Sequence, residues 1–245
     1  MKNIHERLTI EYNDNTLSDS LCDFGRDNET LTLLDSEYIY ISHTSNIKYL
    51  FIALTKHNEN QGNIVVESKK NDTWEVINAL DDTKTFNRDG FITFTESVRE
   101  IRISVTNDTS ELTFKTINIL LSDDNDLIRE YNPITNKEFK LGSDNFNLIH
   151  ESVKEAIVQE LRARTGLSNL TGFDLVEIQE VRLAATNYAL SKIFDSVSDN
   201  KDDRWSDMSQ QRFTKYTHYM NNAFVLLNQA SASAKTTTKI VRASR

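Results

Sequence analysis

Apolar residues in the second half of the chain recur at helical spacing. Between 173 and 198 they fall at Val176, Val181, Ala185, Tyr188, Ala189, Ile193, Phe194 and Val197. Between 203 and 229 they fall at Trp205, Met208, Phe213, Tyr216, Tyr219, Met220, Ala223, Phe224 and Leu227. Most gaps are three to five residues, the stripe of an amphipathic helix and not the alternation of a strand. Residues 198–203, Ser-Asp-Asn-Lys-Asp-Asp, are too polar to bury and rich in helix-starting side chains. Asp202 and Asp203 suit the positive end of the following helix. So short a turn predicts an antiparallel helical hairpin. A further stripe at Phe146, Ile149, Val153, Ile157 and Leu161 predicts a helix over 146–165, capped by Asp144 or Asn145. It stops near Gly166, with Arg162 and Arg164 in its last turn.

The first half has a different texture. Runs at 38–41, 49–54, 64–68, 73–76, 90–94, 100–105 and 112–119 are rich in β-branched and aromatic residues. Glu100-Ile101-Arg102-Ile103-Ser104-Val105 alternates cleanly, whereas Tyr49-Leu50-Phe51-Ile52-Ala53-Leu54 is almost continuously apolar, as in a central strand. Short polar turns separate the runs, which predicts an antiparallel β-sandwich. The run ends at Ser122-Asp123-Asp124-Asn125-Asp126, and the single proline, Pro133, follows. The fold class expected is α+β in two domains: a sandwich over 1–122, a linker over 123–144 with a short helix at 126–131, a helical bundle over 145–229, and an arm over 230–245.

Charge is unevenly spread within the total of −9. Residues 1–127 carry 12 basic and 23 acidic side chains, net −11; residues 128–245 carry 16 and 14, net +2. An acidic first half disfavours non-specific nucleic-acid binding by that half. Apolar residues make up only 38% of the chain, so part of the surface is expected to be covered by neighbouring copies. One cysteine, Cys22, allows no internal disulfide and is read as a buried thiol. No apolar run approaches the roughly 20 residues of a membrane span, and the first residues lack a signal-peptide core, so synthesis in the cytosol without membrane contact is expected.

Chemistry is hard to find. The six glycines form no phosphate-cradling cluster, and His5, His43, His57, His150 and His218 lie apart from any ligand spacing. Asp123-Asp124-Asn125-Asp126 lacks the glycine and distal Glu of a Ca²⁺ loop and is read as solvated linker. Trp74 with Tyr38, Tyr40 and Tyr49 is read as core, the alternative being a sugar-stacking platform. Paired carboxylates for glycoside hydrolysis have no local context among the 37 acidic residues. No catalytic residue, cofactor or metal site is assigned. The tail 231–245 holds four basic residues and no acid, and two readings stand: a frayed terminus, or an arm that adds a strand to a partner.

The stretch Leu183-Ala184-Ala185-Thr186-Asn187-Tyr188-Ala189-Leu190-Ser191-Lys192-Ile193-Phe194, the acidic turn, and then Trp205, Met208, Phe213, Tyr216 and Tyr219 resembles the helical domain of head–tail connector (adaptor) proteins of tailed bacteriophages. Glu155-Ala156-Ile157-Val158-Gln159-Glu160-Leu161-Arg162 fits the same pattern. The first half, with Ile64-Val65-Val66-Glu67, Asp72-Thr73-Trp74-Glu75-Val76 and Gly90-Phe91-Ile92, is similar to β-sandwich segments of phage virion proteins. The large sandwich is a departure, since such adaptors are often the helical domain alone. The resemblance implies a structural virion protein and not an enzyme. It implies a homo-oligomeric ring, usually of twelve copies, at the neck between the portal protein and tail or neck proteins. The helices would surround the channel through which viral DNA passes without sequence-specific contact. It implies a portal-docking arm carried by Lys235, Lys239, Ile240, Val241, Arg242 and Arg245. Tyr188, Phe194, Trp205, Phe213 and Tyr216 would anchor the helical core. The alternative is a tail- or fibre-associated module whose sandwich binds glycan or another virion protein.

Overall fold

In a computed structural model, the described residues are 7–13, 15–17, 21–22, 30–34, 37–56, 63–106, 112–139, 145–175, 178–198, 204–230 and 236–242, with 224–230 and 236–242 described by backbone alone. The protein is α+β. It divides into two compact units, Met1–Ile119 and Leu120–Arg245.

The first unit is a nine-stranded antiparallel sheet built on two unusually long strands. These are β4 (Ile39–Lys56) and β8 (Gly90–Thr106). They pair with each other along their length, with register shifts between Ser42 and Tyr49. At one end the order is β2 (Asn15–Thr16), β1 (Thr9–Tyr12), β4, β8, β5 (Asn63–Lys70), β6 (Thr73–Val76). At the other end β4 pairs with β9 (Leu112–Asn118), β9 with β3 (Leu31–Leu33), and β8 with β7 (Ala79–Asp81). Each long strand thus serves two sets of partners, and its irregular middle lets the sheet change direction.

The burial pattern follows the sequence. Ile39, Ile41, Ile101, Ile103, Val105 and Val66 alternate with polar neighbours and are all buried, one face of the sheet. Tyr49, Leu50, Phe51, Ile52, Ala53 and Leu54 are buried without alternation, as in a strand covered on both sides. Phe51 meets Phe91 edge-on at 5.4 Å, and Phe86 meets Phe114 likewise at 5.4 Å. Phe86 reaches that site from a left-handed turn in which Lys84, Thr85 and Phe86 have φ of 53°, 60° and 59°. Three such residues in a row are costly. Asp81 offsets this by accepting from the backbone N–H of Thr83 at 2.8 Å and of Thr85 at 2.6 Å. Cys22 is buried, its thiol donating to the Leu8 carbonyl.

The second unit holds α1 (Asp124–Glu130), α2 (Asn147–Thr165), α3 (Gln179–Val197) and α4 (Arg204–Asn222). Short 3₁₀ turns at Asn132–Thr135 and Lys137–Phe139 follow α1, with Pro133 in the first turn where its missing N–H does no harm. Gly166 ends α2 in the left-handed conformation at φ 71°. Ala184, Ala185 and Ala189 are fully buried on α3, and these small side chains let α4 approach closely.

Three expectations need correction. The expected linker over 123–144 is not solvated in its described part, 123–139: Asp123 is 2% exposed, and Leu127, Ile134 and Phe139 are core residues. The helix expected from 173 begins at Gln179, Phe173 lying in a separate 3₁₀ turn, Gly172–Asp174. The last helix stops at Asn222, not near 229. Phe224–Ala230 forms strand β10, paired with β11 (Thr236–Arg242) in a two-stranded sheet of its own. The run Phe-Val-Leu-Leu has no helical period, and the β-branched Thr236, Thr237, Thr238, Ile240 and Val241 of the partner strand favour a ribbon. Asp202, Asp203 and the turn 199–203 lie outside the described residues, as do Asp144, Val176, His5 and His57.

A Cβ at Gly90 would stand 3.0 Å from the backbone carbonyl oxygen of Asp82, which cannot rotate away. Gly90→Ala is expected to destabilise the first unit by about 1–3 kcal/mol, read as a lowered urea midpoint.

Candidate functional site

The helical unit is tied together by three arginine-centred nodes. At the first, Asp123 precedes α1 and its Oδ1 accepts from the Asp126 N–H at 3.0 Å, while Asp126 Oδ2 accepts from the Asp123 N–H at 3.1 Å. This reciprocal capping box satisfies two helix-end donors. Arg182 of α3 donates from Nε to Asp126 Oδ2 at 2.8 Å and stands 3.9 Å from Asp123. Asp124 reaches the other way: it accepts from the Phe146 N–H at 3.2 Å, at the start of α2, and lies 3.1 Å from His150 Nε2. The other ring nitrogen of His150 is 2.8 Å from Ser122 Oγ.

Burial raises the Asp123 carboxyl above the usual range, and the Asp126 charge adds to it; the hydrogen bond from the Asp126 backbone, the Arg182 charge and His150 oppose. Serine, histidine and aspartate in one line are also the ingredients of a hydrolase triad. Here Ser122 and His150 are each 1% exposed, so no substrate reaches the hydroxyl. The line is a helix-end network.

At the second node Arg212 of α4 donates to the Glu130 carboxylate and to Asn187 Oδ1 of α3 at 3.1 Å, with Nη2 3.4 Å from the Glu130 carbonyl. At the third, Arg164 of α2 pairs with Glu160 and donates to the Met220 carbonyl at 3.3 Å and to Asn221 Oδ1 at 3.2 Å, both on α4. Tyr216 donates to Glu160, and burial followed by that carboxylate pushes its phenol far up.

The aromatic residues singled out in the sequence are distributed as follows. Phe194 is fully buried and stacks on Trp205 at 5.8 Å, with Phe139 and Tyr131 packed edge-on beside them. Tyr188 stacks on Tyr216 at 4.5 Å. Phe213 touches Tyr188 but is 42% exposed, so it is not a core residue. Leu183 of α3 and Leu148 of α2 are 51% and 58% exposed, and Ile128 of α1 is also open. In the C-terminal ribbon Lys239, Ile240, Val241 and Arg242 pair with Leu227, Leu226, Val225 and Phe224 of the same chain. Lys235 and Arg245 lie outside the described residues.

The first unit carries a different surface. Tyr40, Arg102, Glu67 and Val76 stand opposite one another across four strands. Arg102 donates to both Glu67 oxygens, Nε to Oε2 at 2.7 Å and Nη2 to Oε1 at 2.9 Å. Its guanidinium carbon lies 4.1 Å from the Tyr38 ring centre and 4.8 Å from that of Trp74. Tyr40 meets Tyr38 at 6.3 Å and Trp74 at 5.8 Å. Tyr38, Tyr40 and Trp74 are therefore surface rings, not core; Tyr49 is buried.

Sequence reasoning missed Arg182, Arg212, Arg164 and the Arg102–Glu67 pair. For the first node a signal existed: an aspartate with an acid three residues on, before an apolar residue, is a capping-box pattern. Among the described residues no group of three or more potential ligands is placed to hold a metal ion, and no helix is long and apolar enough to cross a membrane.

No protein-family model matches the chain, and no curated protein matches it. Among solved structures it is similar to a CBM32 module produced by Clostridium perfringens, at 14% identity over 47% of this chain and 93% of that one, with a TM-score of 0.34. It is also similar to the CBM32 of AlyQ in complex with 4,5-unsaturated mannuronic acid, at 12% identity over 45% and 90% of the two chains and a TM-score of 0.32. A chitosan-binding module from a chitosanase/glucanase of Paenibacillus sp. IK-5 matches at 11% identity over 46% and 92%, again with a TM-score of 0.32. Likeness at that level carries no argument about fold, ligand or activity.

The capping node is testable through Asp123. A carboxyl whose folded pKa is raised holds its proton more tightly when folded; the resulting stability is complete below the unfolded pKa and is lost as pH rises through the folded one. Asp123→Asn keeps a capping oxygen but does not titrate, so the wild type is expected to gain on this variant as pH falls from neutral into the carboxylate range. Asp123→Ala loses the cap and is expected to cost about 1 kcal/mol at neutral pH. Chemical denaturation between neutral and acid pH measures both.

Proposed function

We propose that this chain is a structural virion protein of a tailed bacteriophage, a head-to-tail connector that closes into a ring, of twelve copies by the family pattern, between portal and tail. In this reading the nine-stranded network folds over as a β-sandwich, and the helical unit is a bundle of adaptor type that surrounds the DNA exit channel. The observation that carries it is the set of large apolar side chains left open on the helices: Leu148, Leu183 and Phe213 are each more than 40% exposed. Their own unit does not cover them, although the same helices are locked by three polar nodes. A head-to-tail contact between identical copies covers one such patch with another surface of the next subunit, and the series closes if the rotation allows. The C-terminal ribbon supports the reading further: a two-stranded sheet has two open edges, each able to accept a strand from a partner such as the portal.

Leu183→Asp with Phe213→Asp is expected to convert the ring into single copies without changing the helical circular dichroism, as read by sedimentation velocity. Unchanged oligomers would refute the role of these side chains. Deleting 231–245 removes β11 and leaves β10 unpaired; the helices are expected to melt as before while co-purification with portal protein weakens. Portal binding undiminished by the deletion would exclude the docking arm.

A further inference from the structure

We infer that the outer face of the sheet in the first unit binds a neutral carbohydrate chain, on the aromatic layer formed by Tyr38, Tyr40 and Trp74. This goes beyond the connector reading and does not depend on it. The face is identified by its alternation: Ile39, Ile41, Ile101, Ile103 and Val66 point to the core and are no more than 4% exposed, while Tyr40 and Val76 on the opposite side are 36% and 73% exposed.

The layer is built in an unusual way. Tyr40 lies on β4 and Trp74 on β6, with β8 and β5 between them, a span of about 14 Å between backbones. Yet the two rings stand 5.8 Å apart. The side chains therefore lean toward each other over the intervening strands and cover what lies there, the Arg102–Glu67 ion pair. That pair is well shielded, with side chains 19% and 11% exposed. Its fork is satisfied on both oxygens, and two rings lie against the guanidinium. What faces outward is thus an apolar aromatic strip above a neutralised charge.

The chemistry of the strip selects its ligand. An anion gains little, because the arginine charge is already matched by Glu67. Nucleic acid is disfavoured further by the net charge of −11 over residues 1–127. The flanking charges are paired as well: Lys69 with Glu100 at 3.4 Å and Lys70 with Glu96 at 2.7 Å. A stable protein partner needs about 800 Å² on each side, and three partly covered rings supply a fraction of that. A pyranose has an apolar C–H face that lies flat on an aromatic ring and a rim of hydroxyls that seek donors and acceptors. Tyr and Trp offer both an apolar body and a polar tip. The Trp74 indole N–H and the Tyr38 hydroxyl make no hydrogen bond among the described residues. The rings stand 6.3 and 5.8 Å apart and are tilted by 39° and 60°, so an open sheet face offers several ring surfaces in different orientations, which a chain of linked sugars can meet and a single one cannot.

The test uses the full chain on an array of immobilised neutral oligosaccharides built from hexoses and N-acetylhexosamines. The wild type is expected to be retained on at least one of them, with Trp74→Ala and Tyr38→Ala each weakening retention on the order of tenfold. Trp74→Phe and Tyr38→Phe keep a ring and are expected to retain binding within a few-fold, with melting temperatures matching the wild type, which separates loss of the surface from loss of the fold. Retention on no neutral glycan would overturn the inference. So would retention that survives both alanine variants, retention on acidic polymers only, or capture of a protein through Trp74 without any glycan binding.

Discussion

Asp123 brings a carboxylate into a site that is 2% exposed, and the helical unit is arranged around making that tolerable. A buried carboxylate is costly unless hydrogen bonds and an opposite charge compensate it. Here the backbone N–H of Asp126 and the guanidinium of Arg182 do so. The compensation fixes geometry. Arg182 belongs to α3, so α1 stays on α3 only while the acidic turn holds its shape. Asp124, the next residue, fastens the start of α2 through Phe146 and His150. Arg212 then ties the far end of α1 to α4, and Arg164 ties α2 to α4. Four helices that share a core of modest size are thus indexed to one another by charge-assisted hydrogen bonds. Such bonds specify one arrangement more sharply than apolar packing does.

That division of labour explains which parts of the molecule were legible in the sequence. The strands showed through their composition and alternation, because Ile39, Ile41, Ile101 and Ile103 face a core and their neighbours do not. The helix over 147–165 showed through its stripe and its glycine stop. Failures came where polar residues were assumed to face water. Asp123-Asp124-Asn125-Asp126 looks solvated until Arg182, more than fifty residues on, is placed beside it. Phe224-Val225-Leu226-Leu227 extends the helical count numerically, but a run of four apolar residues fits a paired strand better than one helix face. Phe213 sits on the stripe by spacing alone, and its exposure depends on how α3 and α4 meet, which periodicity does not encode.

The two units use aromatic residues for opposite ends. In the helical unit Phe194, Trp205, Phe139 and Tyr131 interlock at 5.0–6.1 Å as a packed core. In the sheet Tyr38, Tyr40 and Trp74 cover an ion pair and leave ring surface outside. A sequence shows only that both halves contain Tyr and Trp. The distinction arises from register: Trp74 pairs with Lys69 and Val76 with Glu67, which sets them on the face away from the isoleucines.

In the proposed connector, the apolar patches on the helices are met by other copies of the same chain. Electron microscopy of the purified protein, alone and mixed with its portal protein, tests this most directly. Closed rings with a central channel, stacked coaxially on the portal, are expected. Particles of single-chain size in both samples, with the portal bare, would contradict it.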